Sequence, residues 1–142
     1  MLSLLFENKH LTIAHHKTDQ YLLLAWKGFI PSTEFRSLAC EIIKAVEKYK
    51  VKKILSDNTE WKIISPNDYS WAASYWFPKA EESGIEEMAT VLSRDTFNRL
   101  AERTVQGLAD VSNMQIKNFE SLQEATAWLT DKRTKTILEK TN

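Results

Sequence analysis

The chain has 142 residues, 43% of them hydrophobic, and its 19 basic side chains are balanced by 19 acidic ones. A single domain of this size can bury a core without a metal or a disulfide. Zero net charge argues against long-range attraction to nucleic acid or anionic membranes. The lone Cys40 rules out an internal disulfide and any cysteine-based zinc site.

Leu2 to Glu7 and Leu11 to His16 are short β-prone runs joined by Asn8-Lys9, which predicts a hairpin. Gln20 to Lys27 follows as a third strand ended by Gly28, and its nearly continuous apolar character suits a strand covered on both faces. A helix then starts at Ser32 or Thr33. Phe35, Leu38, Ala39, Ile42, Ile43, Val46 and Tyr49 recur at helical spacing, with charged residues opposite. Val51 to Ser56 is the next expected strand, ending at Asp57, and Asn58 to Glu60 reads as a polar loop leading to Trp61.

Ser65-Pro66-Asn67-Asp68 is a helix start. Serine caps, proline suits the first helical position, and aspartate favours the positive end of the dipole. That helix is expected to run through Trp76, with Pro78 kinking or ending it. Glu87 to Leu92 is a strand. Ser93 or Asp95 caps a third helix with Phe97, Leu100, Ala101, Thr104, Val105 and Leu108 on one face. Met114 to Phe119 is the last strand. Ser121 and Glu124 form a capping box for a fourth helix, and residues 131–142 read as a helical extension or a loose tail. The order βββ-αβ-αβ-αβ-α predicts one α/β domain over residues 1–142, with a mixed sheet and about four helices.

Ligands of open α/β sheets usually sit outside the carboxyl ends of parallel strands. Those ends carry Asp57, the Ser93-Arg94-Asp95 turn and the Glu120-Ser121 turn. Two readings stay open. Asp57, Ser65, Ser93 and Arg94 hold a small anion at helix starts, or the same residues are ordinary caps and strand ends. Tryptophan is abundant: Trp26, Trp61, Trp71, Trp76 and Trp128. On the second helix Tyr69, Ala72, Ala73 and Trp76 share the core side, which places Trp71 and Tyr75 on the opposite flank with Phe77 at the margin. A neighbouring helix, the Trp61 loop, a ligand or a second subunit must cover that flank, and aromatic anchors of this kind are enriched at interfaces.

His15 and His16 are adjacent on a strand and face opposite sides, so they do not converge on one metal. Cys40 reads as a packed thiol. The isolated Gly28, Gly84 and Gly107 give no phosphate loop or dinucleotide fingerprint, and no nucleophile elbow or zinc-protease motif is present. The longest apolar run, Tyr21 to Trp26, falls far short of the ~20 residues that span a bilayer, and Met1 to Phe6 has no secretory-signal pattern. The residues thus predict a cytoplasmic protein that is not an enzyme and needs no cofactor or metal.

The order of elements and several motifs resemble the stand-alone bacterial STAS-like proteins, which are related to the anti-sigma-factor antagonists and share an outline with CRAL-TRIO lipid-binding domains. The resemblance is carried by Tyr21-Leu-Leu-Leu-Ala-Trp-Lys-Gly28, Glu34-Phe-Arg36, Ile54-Leu-Ser-Asp57, Asp68, Trp71, Trp76 with Pro78, Ala89-Thr-Val-Leu92 and Glu124-Ala-x-x-Trp-Leu129. It implies a regulatory or binding domain that acts through a protein partner or a small ligand. The antagonists carry a phosphorylated serine in an Asp-Ser-Ser-Gly-like turn. Here the matching region is Ile64-Ser-Pro-Asn-Asp-Tyr-Ser-Trp71, with no Ser-Gly pair and proline after Ser65, so the acceptor role does not carry over. The expected working surface is Asp57, Trp61, Ser65, Asp68, Trp71 and Tyr75, with Ser93 and Arg94 beside it. It is expected to meet a protein partner, a homodimer included, and alternatively a small apolar or anionic ligand in a pocket lined by Trp61, Trp71 and Trp76.

Overall fold

The computed structural model describes residues 2–62 and 64–131. The expectation for the segment after Thr130 therefore lies, from residue 132 on, outside the described residues. Six strands form one sheet in simple sequential order: β1 (Leu2–Glu7), β2 (Leu11–His16), β3 (Tyr21–Phe29), β4 (Lys53–Lys62), β5 (Glu87–Val91) and β6 (Gln115–Phe119). The first three are antiparallel and the last four parallel. The predicted hairpin and mixed sheet are thus present.

The helices are α1 (Ser32–Tyr49), α2 (Pro66–Trp71), α3 (Phe77–Glu82), α4 (Thr96–Leu108) and α5 (Leu122–Thr130). A π-helical turn, Ala72–Trp76, joins α2 to α3, so these form one continuous helical rod. Alternation along the strands divides the core. Leu22, Leu24, Trp26, Ile54 and Met88 pack under α1, the α2–α3 rod and α4. Tyr21, Leu55, Ala89 and Val91 pack under α5 with Ala125 and Leu129. Strands covered on both faces read as continuous apolar runs, and this accounts for the composition of β3.

Three local expectations are corrected. First, β4 does not end at Asp57. Its pairing with β3 shifts register after Ala25 and resumes with Lys27 opposite Glu60 and Gly28 opposite Trp61. The polar stretch is a bulge rather than a loop. Asp57 accepts bonds from the backbone N–H (3.1 Å) and hydroxyl (2.8 Å) of Thr59 and so replaces lost ladder bonds. Gly28 likewise does not end β3. Its φ of +76° lets the strand bend and continue to Phe29.

Second, Pro78 neither ends nor breaks the helix. Phe77 N–H donates to the Ala72 carbonyl, five residues back, and the wide turn lies directly before the proline that lacks a donor. The rod stops instead at Gly84, where φ is +115° and Ile85 N–H reaches back to the Ala80 carbonyl. The added residue in the turn also brings Phe77 into the core, 6% exposed, where a regular helix leaves it at the margin.

Third, α4 is rotated relative to its apolar pattern. Ala101 and Val105 are buried as expected, but Phe97, Leu100 and Leu108 are 76%, 65% and 63% exposed. Asn98 and Glu102 are buried in their place. Polar anchors set this rotation. Asp95 accepts from Asn98 N–H at 2.9 Å, and Glu102 Oε2 accepts from Ser93 N–H at 3.1 Å.

Candidate functional site

The eight residues marked by the sequence fall in three places. At the start of the rod, Ser65 caps α2 by accepting Asp68 N–H at 3.3 Å. The Asp68 carboxylate is 1% exposed. It accepts from Ser65 Oγ (3.0 Å), Ser32 Oγ (2.7 Å) and Arg36 Nε (3.0 Å). Asp68 thus ties the N-terminus of α2 to that of α1, and Ser65 is engaged in both directions. Asp68→Asn keeps the shape and removes the charge, and it should cost about 2 kcal/mol in urea unfolding. Arg36 is 41% exposed and can turn to water, which holds the loss below that of a fully buried pair.

The second place is the outer flank of the rod. Trp71 lies half-buried against α1, edge-on to Phe35 at 5.8 Å and beneath the Arg36 guanidinium at 5.4 Å. Of the covers named for Trp71, a neighbouring helix is the one present. Tyr75 rests on Trp71 at 5.4 Å and is 48% exposed.

The third place is the seam between β4 and the start of α4. Ser93 is fully buried. Its hydroxyl donates to the Trp61 carbonyl at 2.6 Å and accepts Asp95 N–H at 3.1 Å. Arg94 N–H bonds the Thr59 carbonyl at 3.1 Å and its side chain is exposed. Asp57 is half-buried on β4 and is turned to its own Thr59. These groups are committed to capping and lacing the chain, as the cap reading held.

A cavity of about 70 Å³ lies between the sheet and the helical layer, behind that seam. It holds on the order of five water-sized spheres. Its aromatic walls are Trp26, Phe35, Trp61, Trp76 and Phe77. Trp26 and Trp61 stack at 4.6 Å, and Phe35 tilts against both at 5.6 and 5.5 Å. Trp76 Nε1–H is spent on the Ala39 carbonyl at 2.8 Å, which fixes its ring. Of the expected pocket tryptophans, Trp61 and Trp76 line the cavity and Trp71 does not.

Polar groups meet in the same space. Ser56 and Asn58 come from β4, Thr90 from β5, and Asn98 and Glu102 from α4. The inward face of a parallel sheet is normally apolar, so this cluster is an exception in the core. Ser56 Oγ donates to Asn58 Oδ1 at 2.7 Å. Asn98 Nδ2 approaches Glu102 Oε1 at 3.5 Å. Asn98 Oδ1 and Thr90 Oγ1 have no partner, although Asn98 is 1% exposed and Thr90 0%. Burial pushes the Glu102 carboxyl up from 4.5 to about 7, against the pull of Ser93 N–H, the Asn58 side chain, Arg99 and Arg103. Sequence reasoning passed over all five residues.

Among the described residues no three His, Cys, Asp or Glu side chains are grouped to hold a metal ion, and no helix is long and apolar enough to cross a membrane. No family model matches the chain, and no curated protein matches it. A solved structure does. It is an uncharacterized protein of the DUF3478 family with a SpoIIAA-like fold, from Shewanella loihica PV-4. It superposes with a TM-score of 0.56 at 19% identity, covering 88% of this chain and 98% of that one. At that identity the likeness concerns architecture. The chain has a SpoIIAA-like fold, the STAS-like arrangement that its order of strands and helices implies.

Proposed function

We propose that this STAS-like domain is a non-enzymatic binding protein whose site is the aromatic cavity beneath α4. One observation carries the reading: two buried polar atoms, Asn98 Oδ1 and Thr90 Oγ1, line a cavity and have no partner within the described chain. Buried polar atoms are almost always paired, and each orphan costs about 1–3 kcal/mol. A ligand that supplies the missing bonds offsets that cost. Apolar walls with a few convergent polar groups are the usual composition of a small-molecule site.

The other reading is contact with a protein partner, a second copy included. Its support has moved from α2 to α4, whose outer side presents Phe97, Leu100 and Leu108 to solvent. Apolar side chains grouped in this way mark contact surfaces. Native mass spectrometry of protein purified from its own host separates the two. A co-purifying small molecule is the expected result. An empty dimer would overturn the cavity reading in favour of contact.

A further inference from the structure

Resting on the cavity reading, we infer that the cavity selects a small organic cation, an alkyl or quaternary ammonium group, held between the aromatic walls and the Glu102 carboxylate. The polarity of the lining is one-sided. Among the described residues its walls contain no Lys, Arg or His, and Glu102 is its one ionisable side chain. The unpaired atoms are a carbonyl oxygen, Asn98 Oδ1, and a hydroxyl oxygen, Thr90 Oγ1. Asn98 Nδ2 is turned towards Glu102, and Ser56 Oγ is spent on Asn58. The site therefore offers acceptors and lacks a free amide or guanidinium donor for a carboxylate or phosphate. An anionic ligand would face the Glu102 carboxylate with nothing to neutralise it.

The walls point the same way. The stacked Trp26 and Trp61, with Phe35, Trp76 and Phe77, surround the space with π faces and edges. Aromatic cages of this kind hold ammonium groups, and the attraction is strongest where water is excluded. A buried carboxylate at the rim of such a cage supplies the counter-charge. Glu102 stands alone in the unliganded chain and holds its proton up to about pH 7. A bound cation favours the ionised form, so binding below that pH expels one proton from Glu102 to solvent. The other groups facing Glu102 are uncharged: Ser93 N–H at the start of α4, Asn58 on β4 and Asn98 on α4. Arg99 and Arg103 act on it only at longer range and stay charged throughout.

The test compares three probes of one shape by calorimetry and tryptophan fluorescence: choline, its uncharged isostere dimethylbutanol, and the anion dimethylbutyrate. Choline should bind at least ~10-fold more tightly than the alcohol, and the acid should not bind. Raising the pH from 6 to 8 should tighten choline alone, and Glu102→Gln should erase the preference while sparing the alcohol. If the alcohol or the acid binds as well as choline, the cation inference falls and the cavity stands. If none of the three binds, both fall. The wild-type series decides the matter even where the variant does not fold.

Discussion

Replacing Glu102 by Gln should make the protein more stable at pH 8 and leave it almost unchanged near pH 4.5. The folded chain holds a proton at Glu102 up to about pH 7, whereas the ordinary value is 4.5. Between those limits the native state binds more protons than the unfolded state, so stability falls as pH rises through the window. Above it the penalty is complete, on the order of 3 kcal/mol at 1.36 kcal/mol for each pH unit of displacement. Glutamine keeps an oxygen for Ser93 N–H and removes the charge that burial penalises. Urea midpoints for both proteins from pH 4.5 to 8 check this. Parallel curves would show that Glu102 titrates at its ordinary value and reaches water.

The second large effect belongs to Trp76. Its ring is 6% exposed, sits edge-on to Phe77 at 5.1 Å, and fixes α1 to the rod through the Ala39 carbonyl. Trp76→Ala should cost about 3–5 kcal/mol, since the loss combines transfer and cavity terms. That is a large share of the ~5–15 kcal/mol available to a domain. Trp76→Phe keeps much of the packing and loses the N–H bond, for about 1 kcal/mol. Circular dichroism during urea unfolding measures both. Equal losses would show that the hydrogen bond, rather than the ring, holds the helices together.

The elements were legible where one signal dominated. Helix α1 has an uninterrupted apolar stripe from Phe35 to Val46, and α5 has its capping box, seen as the Ser121–Glu124 bonds at 3.0 and 3.1 Å. Where two signals competed, the tertiary one prevailed. Helix α4 has its strongest apolar grouping on the side that faces water, because Asp95 and Glu102 fix its rotation through backbone N–H groups. The pattern alone contains no such constraint.

The candidate site was hidden for a related reason. Ser56, Asn58 and Thr90 are polar residues in strands, and isolated polar residues in strands usually face solvent. Their inward direction becomes visible only once Ile54 and Met88 are known to share their face with the helical layer. Asn98 and Glu102, four residues apart, lie between Ala101 and Val105 on the buried side. Small residues next to polar ones at that spacing were the available clue. Ser65 and Asp68 attracted attention by position, and the structure spends them on one inter-helix clamp.

The π-helical turn makes the length of the rod as consequential as its composition. Deleting one residue there, such as Ser74, would restore the ordinary repeat but rotate all that follows by about 100° around the axis. Trp76 and Phe77 would leave the sheet, and the Pro78 ring would meet a carbonyl in a normal turn. A homologue that aligns with a gap in this stretch would thus be expected to lack the aromatic enclosure altogether, whatever identity it keeps elsewhere.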